Sequence, residues 1–454
     1  MSSSEITIIG GGPVGALLAI LLARHNYRVK IFERRPDIRV TKISAGRSIN
    51  LALSVRGIHA LKECGLDQEI LANAVPMYGR MMHSLDGQLI FQRYGMDDSQ
   101  FINSISRAEL NKALLTRAEK ESNIEIHFQS RLKAYNVEQK TLTIIDEASG
   151  QERVIAAPVV IGSDGSASVL REELLKRSSL SCTESLLDYG YKEFNIRPKP
   201  GGGFEMDKNS LHIWPRGSHM LIALPNFDGS FTCTLFLPSK GPLSFESMTS
   251  PRATHKFFSD AFPDALKLID RFEESFAQNP TGQMVTVRAK PWNLGGQIQL
   301  IGDAAHAIVP FFGQGLNCGF EDCTIFNQCL AQNKNLEEVF SSFSNSRMTD
   351  ANAIADLALE NFVEMRDKVA QPKFLLEKEI EKILMRKFPA DYISKYSMVT
   401  FSRTPYQNAL KSGKIQEEIL NQLSAGLLDP QKVDLVLAEK LIQEKLKPLN
   451  SEGI

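Results

Sequence analysis

The strongest constraint on the fold is a glycine-rich turn near the N-terminus. Residues 10–15, Gly-Gly-Gly-Pro-Val-Gly, have the G-x-G-x-x-G spacing and join a β-rich run at residues 5–9 to a helical run at residues 16–23. A second β-rich run, residues 28–32, ends just before Glu33. In such a βαβ unit the helix N-terminus binds a pyrophosphate, and the acid after the second strand accepts from ribose hydroxyls. We therefore predict a dinucleotide site that includes Gly10, Gly12, Gly15 and Glu33.

This turn alone leaves NAD, FAD and a plain loop as alternatives. Two later segments favour FAD: an Asp164-Gly165 turn at the end of an apolar run, and Gly302-Asp303 after residues 298–301. Asp-Gly by itself is only a turn signal. However, an aspartate at a strand end can accept from a ribityl hydroxyl, and the glycine-rich helix start near Gly315 can donate N–H groups to a flavin. Three segments then contact one long cofactor, whereas an NAD dehydrogenase would leave the later two without a role.

Composition limits the class of partner. The chain has 454 residues, 43% of them hydrophobic, which is more than one ordinary core requires. Its 52 basic and 53 acidic residues give no field that would attract nucleic acid or an anionic membrane. The six cysteines lack CxxC spacing, which argues against a disulfide framework or a zinc site and favours a reducing cytosol. With no signal peptide and no apolar run of about 20 residues, we expect a soluble protein with a small-molecule partner.

The remaining patterns predict a second sheet and a helical end. Ser106 and Glu109 have capping-box spacing, so a helix should begin at Arg107. Alternating apolar residues at 124–128 and 142–144 predict two strands that continue the first sheet to about residue 163. Residues 197–203, rich in Pro and Gly, predict a loop to a different architecture, followed by antiparallel strands at residues 211–213, 220–224 and 231–237. From about residue 320 onward the chain reads as mainly helical.

The predicted fold class is an α/β Rossmann-type FAD-binding domain interleaved with an α+β antiparallel-sheet substrate domain, plus a C-terminal helical region. We assign residues 1–74, 99–178 and 287–340 to the FAD-binding domain. Residues 75–98 and 179–286 form the predicted substrate domain, and residues 341–454 the helical region.

The three cofactor segments together resemble the group A FAD-dependent aromatic hydroxylases of the para-hydroxybenzoate hydroxylase fold, over about residues 1–370. Further segments resemble the kynurenine 3-monooxygenase family along nearly the whole chain; they are residues 46–54, 76–84, 211–216, 223–226, 231–236, 310–315 and 398–403. The resemblance implies a substrate carboxylate held by Arg80 and Tyr94, with Asn361 and Tyr406 completing the polar contacts. Arginine pairs with carboxylates in bidentate geometry, and tyrosine and asparagine add neutral hydrogen bonds.

The same resemblance places Phe311, Phe312 and Gln314 beside the substrate ring and the reactive edge of the flavin, although packing alone would also explain both phenylalanines. It adds cofactor-binding residues to those predicted above, namely Val14, Ala52, Arg107, Leu132, Asp303, Leu316 and Asn317. No metal is expected. His306 is interpreted as a packing or capping residue, and Trp214 and Trp292 are interpreted as core or interface residues. The spacing of Cys318, Cys323 and Cys329 suits no usual metal site.

The resemblance implies non-covalently bound FAD, NADPH as co-substrate, and O2 that forms a C4a-hydroperoxide. One oxygen atom would pass to the ring of L-kynurenine ortho to its aniline nitrogen, giving 3-hydroxykynurenine in tryptophan degradation and NAD biosynthesis. A flavin hydroxylase of another aromatic acid, or a non-catalytic flavin-binding sensor, remains an alternative. Eukaryotic members carry a C-terminal membrane anchor, whereas residues 435–447 are charged. We therefore expect a soluble bacterial cytoplasmic enzyme, either a monomer or a homodimer.

Overall fold

The computed structural model describes residues 5–41, 50–176, 181–368 and 371–447. Residues 46–49, which belong to one segment of the family resemblance, lie outside these ranges. The strands in chain order are β1 (Glu5–Ile9), β2 (Arg28–Phe32), β3 (Asn50–Leu53), β4 (Val75–Met77), β5 (Gly79–His83), β6 (Leu89–Arg93), β7 (Ile102–Ser106), β8 (Ile124–His127), β9 (Ser130–Asn136), β10 (Thr141–Asp146), β11 (Glu152–Ala156), β12 (Val160–Gly162), β13 (Ser181–Ile196), β14 (Ser210–Pro215), β15 (Met220–Pro225), β16 (Phe231–Pro238), β17 (Gly282–Lys290), β18 (Asn293–Leu294) and β19 (Ile298–Leu300).

The helices in chain order are α1 (Pro13–Arg24), α2 (Val55–Cys64), α3 (Asp67–Leu71), α4 (Arg107–Glu119), α5 (Val169–Leu175), α6 (Pro251–Ala261), α7 (Pro263–Leu266), α8 (Phe272–Gln278), α9 (Asp303–His306), α10 (Gly315–Gln332), α11 (Leu336–Val363), α12 (Pro372–Lys387), α13 (Lys395–Thr400), α14 (Tyr406–Ser424) and α15 (Leu435–Leu441). The 3-10 turn Pro310–Phe312 precedes α10, and the π-helical turn Glu364–Lys368 follows α11. The predicted helical region is therefore confirmed.

The first sheet has the order β18-β19-β12-β1-β2-β8 in the described part of the chain, and all its pairs except β18 with β19 are parallel. Parallel strands need cover on both faces, which is why β1 has fully buried Ile6 and Ile8 and why α1 is buried along most of its length. The predicted βαβ unit is confirmed.

The strand at residues 142–144 does not continue this sheet. It lies in β10, which pairs antiparallel with β9 and β11 in a separate three-stranded sheet. The alternating pattern of β10 suits a sheet with one buried face, whereas the continuous apolar run before Gly162 suits a parallel strand buried on both faces. The expectation that both belong to one sheet was therefore wrong.

The second large sheet has the order β17-β13-β16-β15-β14-β5-β6 in the described residues, with β5 and β14 parallel and the other pairs antiparallel. One face packs on α6 and α8 through an aromatic cluster that includes Phe194, Phe258 and Phe272. Residues 197–203 join β13 to β14 of this same sheet, so they do not bridge two architectures. The chain enters this sheet earlier, first at β5 and β6 and again where β13 begins.

The long helix α11 connects the two halves of the molecule. Its Phe340 and Phe343 join the apolar cluster of the first sheet, while Ile354 and Leu357 join a cluster below the second sheet. Beyond it, α12, α14 and α15 pack together around Ile380, Leu384 and Ile419 among others. Among the described helices, none combines the length and the hydropathy needed to cross a bilayer. The predicted division into three domains stays a prediction.

Candidate active site

The glycine turn is shaped by close backbone contacts. Gly10 has φ +101°, and a Cβ there would lie 2.5 Å from the carbonyl oxygen of Ser163. A Cβ on Gly15 would overlap the carbonyl oxygen of Gly10. Gly12, the N-cap of α1, has open space on its Cβ side and no side chain to bind the first N–H groups of the helix. The turn is therefore a cradle whose free N–H groups suit a pyrophosphate.

Two acids lie beside this cradle. Glu33 Oε2 accepts from the N–H of Gly11 at 2.8 Å, which places the carboxylate against the turn where a ribose would lie. Asp164 Oδ2 accepts from the N–H of Val169 at 2.9 Å, and burial raises the pKa of this carboxyl group. Its Oδ1 is buried without a hydrogen-bond partner in the described residues. An unpaired buried acceptor is costly unless a ligand hydroxyl completes it.

The start of α10 forms the third predicted cofactor segment. Its N-cap, Gln314, makes no side-chain capping bond, so the N–H groups near Gly315 are not capped by a side chain. Asn317 Nδ2 donates to the carbonyl oxygens of Ala52 at 2.7 Å and Gly313 at 2.9 Å, and its Oδ1 accepts from the N–H of Ser54. The Asn317 side chain therefore fixes the neighbourhood of Ala52, and its amide is already bonded within the protein.

The other predicted cofactor residues differ in exposure. Asp303 is exposed at the start of α9, and Arg107 is exposed at the start of α4, where Ser106 accepts from the N–H of Glu109 as the capping box predicts. Leu132 is buried in the core of the first sheet, and Val14 and Leu316 pack against that core.

A cavity of about 540 Å³ lies between the β5–β6 hairpin and the C-terminal helices. It is lined by residues that are distant in sequence; those used below are Arg80, Tyr94, Phe312, Asn361, Glu364, Lys378, Glu381 and Tyr396. Four of the seven predicted catalytic and substrate residues thus meet at one cavity.

Arg80 is a positively charged residue of this cavity that lies between two tyrosines. Its guanidinium lies 5.7 Å from the ring centre of Tyr94 and 5.5 Å from that of Tyr396, and these two rings stack at 5.3 Å. The Nε of Arg80 is buried without a partner in the described residues. Burial raises the pKa of both Tyr94 and Tyr396, so their hydroxyls stay protonated at neutral pH. The cluster therefore offers a cation and neutral phenols to a carboxylate.

Tyr396 lines the cavity but was not predicted as a substrate contact from the sequence, which named Tyr406. Tyr406 is fully buried and outside the residues that line this cavity; its hydroxyl donates to Gln314 Oε1 at 3.0 Å and Arg56 lies 3.9 Å from its ring centre. Tyr396 lies in the first turn of α13, which Ser394 caps by accepting from the N–H of Ser397. The family-like segment at residues 398–403 begins two residues later and was the available signal.

Phenylalanines form the apolar wall. Phe312 lines the cavity and stacks on Tyr396 at 5.7 Å, whereas Phe311 packs between Phe236 and Phe362 at 4.9 and 4.3 Å. Asn361 Nδ2 donates to the carbonyl oxygen of Phe311 at 2.7 Å, so this amide also holds the turn before α10 in place.

His306 belongs to a buried ion-pair network behind the cofactor segments. Its Nε2 lies 2.5 Å from Asp322 Oδ2, and Arg347 donates to Asp322 Oδ1 at 2.9 Å. Burial lowers the pKa of His306, but the Asp322 carboxylate outweighs burial and raises it well above its usual value. The possible ligand atoms of His306, Cys318 and Asp322 lie close enough together to hold a metal ion. However, both carboxylate oxygens of Asp322 already bind cationic side chains, His306 and Arg347. The arrangement fits an ion pair better than a metal site.

Comparison with known proteins agrees with this geometry. The FAD binding domain family matches residues 3–358. The chain is 50% identical over 447 residues to the kynurenine 3-monooxygenase of Myxococcus xanthus (strain DK1622), covering 98% of this chain and 96% of that protein. It is 45% identical to the kynurenine 3-monooxygenase of Xanthomonas axonopodis pv. citri (strain 306), covering 99% of each.

Solved structures support the fold. The tetrameric form of 2-methyl-3-hydroxypyridine-5-carboxylic acid oxygenase matches with a TM-score of 0.65 at 18% identity, covering 83% of this chain and 96% of that one. The p-nitrophenol 4-monooxygenase PnpA from Pseudomonas putida DLL-E4 matches with a TM-score of 0.65 at 18% identity, covering 93% of this chain and 98% of that one.

Proposed function

Because the chain belongs to the kynurenine 3-monooxygenase family and contains the FAD binding domain, we propose that it hydroxylates L-kynurenine to 3-hydroxykynurenine. It is an FAD-dependent monooxygenase, and NADPH is its co-substrate. The observation that most supports the substrate is the cavity in which Arg80, Tyr94 and Tyr396 face an aromatic wall. The alternative of another aromatic acid is not favoured, because curated relatives at 43 to 50% identity are named kynurenine 3-monooxygenase.

The residues present fit FAD. The glycine cradle leaves room for a pyrophosphate, Glu33 lies beside it, and Asp164 Oδ1 lacks the donor that a cofactor hydroxyl would supply. When bound, FAD supplies the redox chemistry: it is reduced by NADPH and activates O2. The N–H groups at the start of α10 favour negative charge on the adjacent part of the cofactor.

At one end of the cavity the protein binds the amino-acid part of the substrate. The guanidinium of Arg80 pairs with the carboxylate, and the protonated hydroxyls of Tyr94 and Tyr396 donate to it. Asn361 lies at the same cavity, although its Nδ2 is already bonded to Phe311. These contacts orient the substrate, which removes much of the entropic barrier to the reaction.

Next to these polar groups, apolar side chains exclude water. Phe312 and the packed rings of Phe236, Phe311 and Phe362 belong to an apolar cluster that also contains buried Met82, Ile213, Met220 and Leu357. An apolar wall protects the reactive oxygen species from water and leaves the aniline ring, already activated by its amino group, as the acceptor.

The C-terminal helices contribute to the enclosure. Residues of α12 and α14, including Lys378 and Gln416, line the cavity from the side opposite β5. These helices pack on each other through Ile380, Leu384 and Ile419. We propose that they separate the bound substrate from bulk solvent.

The relatives compared above are bacterial. We place the enzyme in the bacterial cytoplasm, with small molecules as its partners and no nucleic-acid or membrane partner. The free state of the six cysteines fits a reducing compartment.

The experiment that tests this function follows NADPH oxidation by the purified holoenzyme with and without L-kynurenine, and determines the mass of the product. We expect stimulated oxidation and a product heavier by one oxygen atom. Bound FAD without stimulation by L-kynurenine would retain the fold and reject the substrate.

A further inference from the structure

Glu364 is a cavity residue that the contacts described so far leave without a role. It begins the π-helical turn after α11, lines the same cavity as Arg80, and its side chain is 20% exposed. Its Oε1 lies 3.9 Å from Arg80 Nη1, which is an ion-pair distance but beyond hydrogen-bond reach. Within the described ranges, the Glu364 carboxylate therefore faces the cavity with no hydrogen-bond donor of its own.

The charges around the cavity are balanced. Six basic and six acidic residues line it, among them Arg80, Lys378, Glu364 and Glu381, and Lys378 Nζ pairs with Glu381 at 3.0 Å. Burial alone would raise the pKa of Glu364, but the charges of Lys378 and Arg80 outweigh burial and hold it below its usual value. Glu364 is therefore ionised at neutral pH. A ligand with no net charge but two adjacent opposite charges would preserve this balance.

We propose that Glu364 binds the α-ammonium group of the substrate while Arg80 binds its carboxylate, so that this pair selects an α-amino acid zwitterion. The ammonium and carboxylate groups of an α-amino acid are attached to the same carbon atom and are therefore close together. The charges of Glu364 and Arg80 are likewise close together, with Oε1 and Nη1 3.9 Å apart. This inference rests on the proposed function and adds a specificity-determining residue to it.

The first test uses the unmodified holoenzyme and two substrates. L-kynurenine carries both charges, whereas its deamino analogue 4-(2-aminophenyl)-4-oxobutanoate keeps the ring, the ketone and the carboxylate but lacks the ammonium group. We expect kcat/KM for hydroxylation to be at least about 30-fold lower for the analogue, because Glu364 then lacks its partner and repels the carboxylate. Equal kcat/KM for the two substrates would overturn the proposal.

The second test compares the substitution Glu364→Gln with the wild type. We expect kcat/KM for L-kynurenine to fall at least about 30-fold, while kcat/KM for the deamino analogue stays within about threefold or rises, since Arg80 loses a competing anion. If Glu364 only holds α12 through Lys378, both substrates would lose activity by the same factor, and the inference would be rejected.

A matched control is Glu418→Gln. Glu418 lies on α14 outside the residues that line the cavity, and its exposed carboxylate pairs with Lys445 at 3.1 Å. We expect the ratio of the two kcat/KM values to match the wild type, with equal FAD content. If the wild type fails to hydroxylate L-kynurenine at all, the proposed function is rejected. If the wild type is active but the ratio of the two kcat/KM values does not change in Glu364→Gln, only the role of Glu364 is rejected.

Discussion

Among single residues, Arg80 has the most demanding position, because its buried guanidinium lies beside two phenol rings and its Nε has no partner in the described residues. A buried cation with an unsatisfied donor is unfavourable in the free protein and favourable once a carboxylate binds. We therefore expect Arg80 to contribute much of the binding energy for the substrate.

We predict that Arg80→Ala weakens L-kynurenine binding by about 2–4 kcal/mol, since one partner of a buried charge pair is removed. FAD content should be unchanged, because Arg80 lies outside the predicted cofactor segments. Titration of the flavin absorbance with L-kynurenine measures the change. The control is Arg197→Ala, in which an exposed arginine outside the residues that line the cavity loses its pair with Asp270. Equal affinity in wild type and Arg80→Ala would contradict the assignment.

The two tyrosines give a second prediction. Tyr396→Phe should raise the Kd for L-kynurenine about 2–10-fold, the effect of losing one hydrogen bond to a ligand. Tyr406→Phe should leave that Kd unchanged, because its hydroxyl donates to Gln314 and its ring packs under Arg56. The same titration compares both variants, and the reverse order of effects would show that the cavity has been assigned to the wrong tyrosine.

The resemblance named Arg80, Tyr94 and Asn361, which the structure brings to one cavity, and Tyr406, whereas Tyr396 lines that cavity. The contact of Tyr396 with Arg80 joins α13 to β5 across more than 300 residues, and no local pattern encodes it. The side-chain amide of Asn317 is bonded to Ala52, Gly313 and Ser54, which the sequence could not show, and the contact of Asn317 with the cofactor stays a prediction.

Among the elements, the turn before α1 combines folding and binding in neighbouring glycines. Gly15→Ala should prevent stable folding, because its Cβ would overlap the carbonyl oxygen of Gly10 in the backbone itself. Gly12→Ala should fold normally but weaken FAD binding by about tenfold or more, since its Cβ would occupy the open space above the helix start.

Circular dichroism of the apoproteins and a titration with FAD separate these two outcomes. The first reports whether the chain folds, and the second reports the affinity of the correctly folded fraction. If Gly12→Ala and Gly15→Ala behaved alike in both measurements, the division of roles within the turn would be wrong.

Strand β13 carries a buried acid that makes stability depend on pH. Glu193 is 6% exposed, its Oε1 has no partner in the described ranges, and burial raises its pKa from 4.5 to about 7 although Arg107 acts in the opposite direction. Between these two pH values the folded protein keeps a proton that the unfolded chain has released. The stability that the protonated Glu193 carboxyl group contributes is therefore greatest below about pH 4.5 and is lost as pH rises through 7.

We predict that Glu193→Gln raises the free energy of unfolding at pH 8 by about 1–3 kcal/mol and changes little at pH 5. Denaturant midpoints at the two pH values measure this difference. Glu246→Gln, which alters an exposed glutamate, is the control. A Glu193→Gln variant with the same pH dependence as the wild type would refute the prediction.

Local patterns predicted most elements: β1, α1 and β2, the capped start of α4, and the strands β14 to β16. They failed where an element's partner had to be known. The alternation of β10 identified a strand but not its sheet, and the Pro-Gly loop at residues 197–203 identified a break but not that β13 and β14 belong to one sheet. Pairing between distant strands depends on three-dimensional packing.

In the whole molecule, the active site lies where three layers meet: the parallel sheet with its cofactor segments, the antiparallel sheet with β5, and the C-terminal helices. Helix α11 joins these layers through two apolar clusters. The helical region was predicted as an element type, but its role as a wall of the cavity could not be, because most of the lining residues of α12 and α14 are charged or polar and resemble an ordinary solvated face.

The most direct test of the account measures the origin of the oxygen atom in the product. The holoenzyme would be supplied with NADPH, L-kynurenine and 18O2 in unlabelled water, and the product and the NADPH consumed would be quantified together. We predict a product that contains one 18O atom, formed at about one molecule per NADPH. NADPH oxidation without a hydroxylated product, or a product that carries oxygen from water, would contradict the assignment of this protein as a kynurenine hydroxylase.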